Sequence, residues 1–153
     1  MRLDGYRRIV IKIGSSLLID DSGAVDIAWL DSLADDVATI YAAGCDVLLV
    51  SSGAIAIGGA ALGIDRRRAR LAELQAAASA GQVLLVNAWA NALARHDIAT
   101  AQVLLTLDDT ENRRRFLNAR STLAELQKRR VVPVVNENDT VSTDEIRYGD
   151  NDR

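Results

Sequence analysis

Short aliphatic runs recur along the chain, and each gives way to small or polar residues. "YRRIVIKIG" is β-branched and ends in glycine, while "CDVLLVSSG" and "RRVVPVVNEN" repeat the same pattern, which predicts three buried strands. "DIATAQVLLT" is a fourth candidate, with Val103, Leu104 and Leu105 as its apolar end. Pro133, the single proline, falls inside the last run, where its missing N–H predicts a sheet edge or a bulge.

Between these runs the apolar spacing becomes helical. Leu30, Leu33, Val37 and Ile40 form one stripe between Asp26 and Ala43, and Gly44 is placed to stop the helix. "RARLAELQAAASAGQVLLVNAWANALARH" is a second helical region, in which Gly81 weakens the middle and raises the prospect of two helices. Arg113 to Arg130, carrying Phe116, Leu117, Leu123 and Leu126, is a third. Strands alternating with helices predict right-handed crossovers and an α/β fold of three layers, α/β/α, around a mainly parallel sheet. The 153 residues suit one domain, 1–153, without internal repeat or linker.

Composition narrows the function. A net charge of -3 opposes general binding to nucleic acid or anionic membranes, because displacing counterions needs a positive field, and aromatics at 4% provide few stacking platforms. The lone Cys45 cannot form an intramolecular disulfide, and the chain opens without a secretory pattern, so a cytoplasmic protein is expected. The apolar runs fall well short of the roughly 20 residues that span a bilayer, so no membrane span is expected.

Ligands of open α/β sheets collect beyond the carboxyl ends of the strands, and the polar signals of this chain fall there. Lys12, one of only two lysines, lies at the end of the first run and precedes Gly14-Ser15-Ser16, whose backbone N–H groups can face an anion. A solvated edge lysine is the plainer alternative. The P-loop pattern is not met, since Ile64 and Asp65 follow the correctly spaced Gly58 and Gly63. Ser51-Ser52-Gly53-Ala54 is a second small-residue turn. Asn136-Glu137-Asn138-Asp139 and Asp150-Asn151-Asp152 carry more carboxylates and amides than turn capping needs. Together such groups suit a zwitterion, the carboxylates taking an ammonium and the amides a carboxylate. His96 reads as a helix-end partner, and no second His or Cys gives metal-ligand spacing, so no metal site is expected. "DRRRAR" and "RRRFLNAR" read as solvated faces.

In order and spacing, "IVIKIGSSLL", "VLLVSSGAIAIGGAALG", "QAAASAGQ", "AQVLLT", "RRRFLNARSTL" and "VVPVVNENDTVSTDEIRYGDND" cover nearly the whole chain. They resemble the N-terminal portion of the glutamate 5-kinases, a branch of the amino acid kinase family. The resemblance implies transfer of the ATP γ-phosphoryl, with Mg2+, to the side-chain carboxylate of L-glutamate, the first step of proline biosynthesis. It also implies proline as feedback inhibitor and a homo-oligomer. By that resemblance Lys12 would be catalytic and neutralise the moving phosphoryl, with Gly14 and Ser15 as backbone donors. Ser52, Gly53 and Ala54 would line the glutamate site, Asn136, Asp139, Asp150 and Asn151 would hold the amino acid, and Asp152 would orient Lys12.

The family continues into a nucleotide-binding lobe, and many members add an RNA-binding-like domain. The expectation is therefore a glutamate-binding lobe, inactive alone, with a strand edge and apolar surface left open. A non-catalytic glutamate or proline module is the runner-up. A relative acting on another carboxylate is third.

Overall fold

The computed structural model describes residues 5–141. In chain order these form β1 (Arg8–Ile13), α1 (Ser15–Leu18), α2 (Ile27–Ala42), β2 (Asp46–Ser51), α3 (Ala54–Leu62), α4 (Leu71–Ala94), β3 (Thr100–Leu105), α5 (Leu107–Glu111), α6 (Arg113–Lys128) and β4 (Val132–Glu137). All four expected strands are present. They make one parallel sheet in the order β1-β2-β4-β3.

This order fixes where the helices go. The steps β1 to β2 and β2 to β3 run one way across the sheet and the step β3 to β4 runs back, so right-handed crossovers put α2 and α4 on one face and α6 on the other. The contacts agree, with α2 packed on α4 and α6 on β4. The α2/α4 layer holds the core. Ile13, Val47, Leu49, Val132 and Val134 from the strands meet Leu30, Val37, Leu85, Trp89 and Leu93 from the helices.

Local signals account for the boundaries of α2. Asp26 caps its N-terminus, accepting from the Trp29 N–H at 3.0 Å, and Gly44 leaves its C-terminus at φ +88, a conformation that suits glycine. At the opposite end of the sheet from the strand carboxyl ends, Arg130 ties α2 to β4. Its guanidinium stacks 3.9 Å from the Tyr41 ring centroid and donates to the Cys45 carbonyl, while the Tyr41 hydroxyl donates to the Arg130 carbonyl at 2.8 Å.

Two sequence expectations are corrected. Gly81 does not divide α4, which is continuous from Leu71 to Ala94. It faces α3, where a Cβ would lie 1.8 Å from the Ala54 carbonyl oxygen, and Gly58 of α3 meets the Ala77 carbonyl in the same way. The two glycines let the helix backbones touch. Pro133 lies in β4, an interior strand, and not at an edge. The Val132 N–H turns toward β3, bonding the Ala99 carbonyl, so the proline nitrogen faces β2, where pairing begins only at Leu49 and Val134. No ladder bond is lost there.

The outer strands are β1 and β3, and Val10 on β1 is 59% exposed. Phe116 and Leu117 on α6 and Val83 and Leu84 on α4 are also exposed. Among the described residues no helix is long and apolar enough to cross a membrane.

Candidate functional site

The segments around Lys12 to Ser16, Ser51 to Ala54 and Asn136 to Asp139 all lie at the carboxyl ends of strands. Lys12 is the penultimate residue of β1 and is exposed on that outer strand; Gly14 then caps the short α1 that Ser15 begins. Ile13 is in register with Ser51, and the Ser52 N–H donates to the Ile13 carbonyl at 3.1 Å, so the β1 and β2 loops leave the sheet side by side.

Gly53 makes their close approach possible. It adopts φ +109, and a Cβ there would lie 3.3 Å from the Ser15 Cβ and 3.0 Å from Ile19 Cδ1. Gly53 is also the N-cap of α3 and brings no side chain to cap it. Its carbonyl accepts from Ala56 and Ile57, while the N–H groups of Ala54 and Ile55 have no acceptor among the described residues. A bare helix start of this kind attracts an anion through its open N–H groups and the dipole behind them.

Across β2 lies the end of β4. Asn136 is 6% exposed and Asp139 7% exposed. The Glu137 N–H donates to Asn136 Oδ1 at 2.8 Å, which fixes the amide, yet the buried Asn136 Nδ2 has no partner among the described residues. An orphaned buried donor costs about 1–3 kcal/mol, so a ligand oxygen reaching it would be favoured. No described residue donates a hydrogen bond to Asp139. Burial first, and the Glu137 charge second, push its carboxyl up to about 6. A cation seated there would reverse that penalty.

The arrangement can therefore hold a molecule bearing both charges. Open N–H groups at α3 and the Asn136 amide favour a carboxylate, and Asp139 favours an ammonium. Asp150, Asn151 and Asp152 lie outside the described residues. The described part of the chain thus gathers Lys12, Gly14, Ser15, Ser52, Gly53, Ala54, Asn136 and Asp139 at one end of the sheet. Elsewhere, His96 Nε2 sits 2.8 Å from Asp35 Oδ1, so the ring pairs with a carboxylate rather than with the helix end. Gly58 and Gly63, the P-loop-spaced pair, are a packing contact and the C-cap of α3.

Three residues behind the site were not assigned a role from sequence. The Trp89 indole N–H donates to the fully buried Ser51 Oγ at 3.0 Å, fixing the end of β2 from α4. Gln82 Nε2 donates to the Glu137 carbonyl at 3.0 Å, and Ser79 Oγ lies 3.2 Å from Thr140 Oγ1. A glutamine in an alanine-rich helix was the available clue. Only the folded α4 shows which loop it reaches.

Comparison with known proteins adds the following. A family model described as "Amino acid kinase family" matches residues 7–153. The "Glutamate 5-kinase 1" of Mesorhizobium japonicum is 56% identical over 151 residues, covering 99% of this chain and 40% of its own length. The "Glutamate 5-kinase" of Nitrobacter hamburgensis is 57% identical over 154 residues, covering 100% and 41%, and that of Brucella anthropi is 55% identical over 152 residues, covering 99% and 40%. The chain thus spans about 40% of the length of these curated relatives. Among solved structures, a UMP kinase from Ureaplasma parvum superposes with a TM-score of 0.54 at 18% identity, covering 85% of this chain and 55% of that one. This last likeness concerns the fold alone.

Proposed function

The chain belongs to the amino acid kinase family, and on that premise we propose that it supplies the amino acid site of a glutamate 5-kinase. The observation that carries the reading is the pairing of an uncapped helix start at Gly53 with buried Asn136 and Asp139. Opposite charges presented at one rim fit the α-carboxylate and α-ammonium of L-glutamate. Relatives at 55–57% identity named glutamate 5-kinase support the choice of amino acid.

In this reading an oxygen of the glutamate side-chain carboxylate attacks the γ-phosphorus of ATP. An O–P bond forms as the bond to the β,γ-bridging oxygen breaks, giving glutamyl 5-phosphate and ADP. Lys12 neutralises charge on the moving phosphoryl group, and the Gly14 and Ser15 N–H groups face its oxygens. Ser52, Gly53 and Ala54 line the amino acid site with Asn136 and Asp139, to which the reading adds Asp150 and Asn151, with Asp152 orienting Lys12. Phosphoryl transfer depends mostly on such positioning and neutralisation.

Mg2+ would accompany ATP and offset phosphate charge when bound. Among the described residues no group of three or more His, Cys, Asp or Glu gathers to hold a metal, so none is assigned to it. Because the chain spans about 40% of its relatives, the transfer is assigned to a polypeptide that also carries a nucleotide-binding half. Proline, with a secondary ammonium and a carboxylate, would compete for the same groups as feedback inhibitor. A cytoplasmic homo-oligomer completes the proposal.

The test is hydroxamate trapping of the acyl phosphate. A polypeptide joining this chain to the nucleotide half of a relative should form hydroxamate with L-glutamate and MgATP, whereas this chain alone should not. Hydroxamate with another carboxylate, and none with glutamate, would overturn the assignment.

A further inference from the structure

We propose that Gln82 is a positioning residue of the amino acid site, acting through Asn136 without touching the ligand. The proposal rests on the reading above that Asn136 holds the amino acid. Gln82 projects from α4 and is 6% exposed. Its Nε2 donates to the Glu137 carbonyl at 3.0 Å, while its Oε1 accepts from Gln102 Nε2, on β3, at 3.2 Å. The Glu137 carbonyl can only accept, so the first bond fixes the amide and leaves its oxygen to Gln102. A flipped amide would set oxygen against the carbonyl oxygen and lose that bond.

The Glu137–Asn138 peptide is thereby held from both sides, because the Asn138 N–H donates to the Leu105 carbonyl at 2.8 Å. The adjoining peptide carries the Glu137 N–H, which donates to Asn136 Oδ1 at 2.8 Å. The opposite end of the same amide is the buried Nδ2, unpaired among the described residues. Gln102, Gln82, the Glu137 backbone and Asn136 thus form a relay that ends on this buried donor. Ser79, three residues earlier on α4, adds a parallel tie through Thr140 Oγ1 at 3.2 Å.

The test uses the 153-residue chain and Gln82→Met, which keeps the side-chain length and removes both amide bonds. L-glutamate is titrated calorimetrically, the Asn136 side-chain amide is followed by NMR with Asn136→Asp for assignment, and urea unfolding controls for stability. Losing an oriented donor should weaken L-glutamate about 10-fold, the equivalent of one hydrogen bond, and should shift or double the Asn136 amide resonances. Gln102→Met, which leaves Gln82 in place without its anchor, should weaken binding about 3-fold by the same arithmetic, and it decides the matter if Gln82→Met does not fold. Unchanged affinity with superimposable Asn136 resonances would overturn the proposal, even if stability falls. If the unaltered chain binds no glutamate, the reading of the site fails, and the Asn136 resonances of the variants still decide the positioning role.

Discussion

Replacing Asp139 by asparagine should make the protein more stable while destroying the site. Asp139 is 7% exposed, and its carboxyl sits at about 6 instead of 3.8, first through burial and then through the Glu137 charge. The folded state therefore binds the proton more tightly than the unfolded chain does. The resulting penalty is absent below pH 3.8, grows as pH rises, and is complete above about 6. At about 1.4 kcal/mol for each tenfold difference in proton affinity between the two states, the ionised carboxylate costs on the order of 2–3 kcal/mol at pH 8.

Asp139→Asn removes the charge but leaves an amide whose donors also need partners, so a net gain of about 1–2 kcal/mol at pH 8 is expected. The gain should vanish or reverse near pH 4, where the carboxyl is protonated in the folded state and close to half protonated in the unfolded chain, so that the amide's own cost dominates. Urea unfolding of parent and variant across pH 4 to 8 measures this directly. The reasoning is refuted if Asp139→Asn is destabilising at pH 8, or if the difference does not change with pH. The raised carboxyl also sets a binding profile. An ammonium prefers the ionised carboxylate, so affinity for L-glutamate should fall as pH drops below about 6.

Three further substitutions probe the scaffold and the reaction. Gly81→Ala places a Cβ 1.8 Å from the Ala54 carbonyl oxygen, so overpacking of about 1–3 kcal/mol should outweigh the roughly 1 kcal/mol gained in helix propensity; a more stable variant in urea would show that α3 moves aside freely. Trp89→Phe leaves the buried Ser51 Oγ without its indole donor and should cost about 1–3 kcal/mol; a midpoint within error of the parent would assign the bond no weight. Lys12→Met, in a polypeptide carrying the nucleotide half, should lower kcat about 100-fold or more while KM for L-glutamate changes little, because a charge aimed at the phosphoryl acts in the transition state.

Much of this architecture was legible in the sequence because local physics dictated it. The strands ended in small residues, Asp26 and Gly44 bounded α2, and the polar loops followed the strands. What escaped depended on contacts between distant segments. Gly81 looked like a helix breaker because propensity sees only its own helix, whereas its role is set by Ala54 on α3. Pro133 looked like an edge residue because sequence does not reveal that β4 lies between β2 and β3, nor that pairing with β2 starts one residue later. The glycine- and alanine-rich stretch after the Ser51 to Ala54 turn was assigned no element, yet it is α3, which packs closely against α4. At the site, Asn136 and Asp139 were visible by composition. Their supports on α4 were not.

The central claim is that the rim of Gly53, Asn136 and Asp139 is built for glutamate. Calorimetric titration of L-glutamate into the folded chain at pH 8, with L-aspartate as comparison and Asp139→Asn as control, tests it most directly. Saturable glutamate binding, at least 10-fold weaker for aspartate and lost in the folded Asp139→Asn protein, is the predicted result. Equal affinity for the two amino acids, or glutamate binding that survives Asp139→Asn, would contradict it.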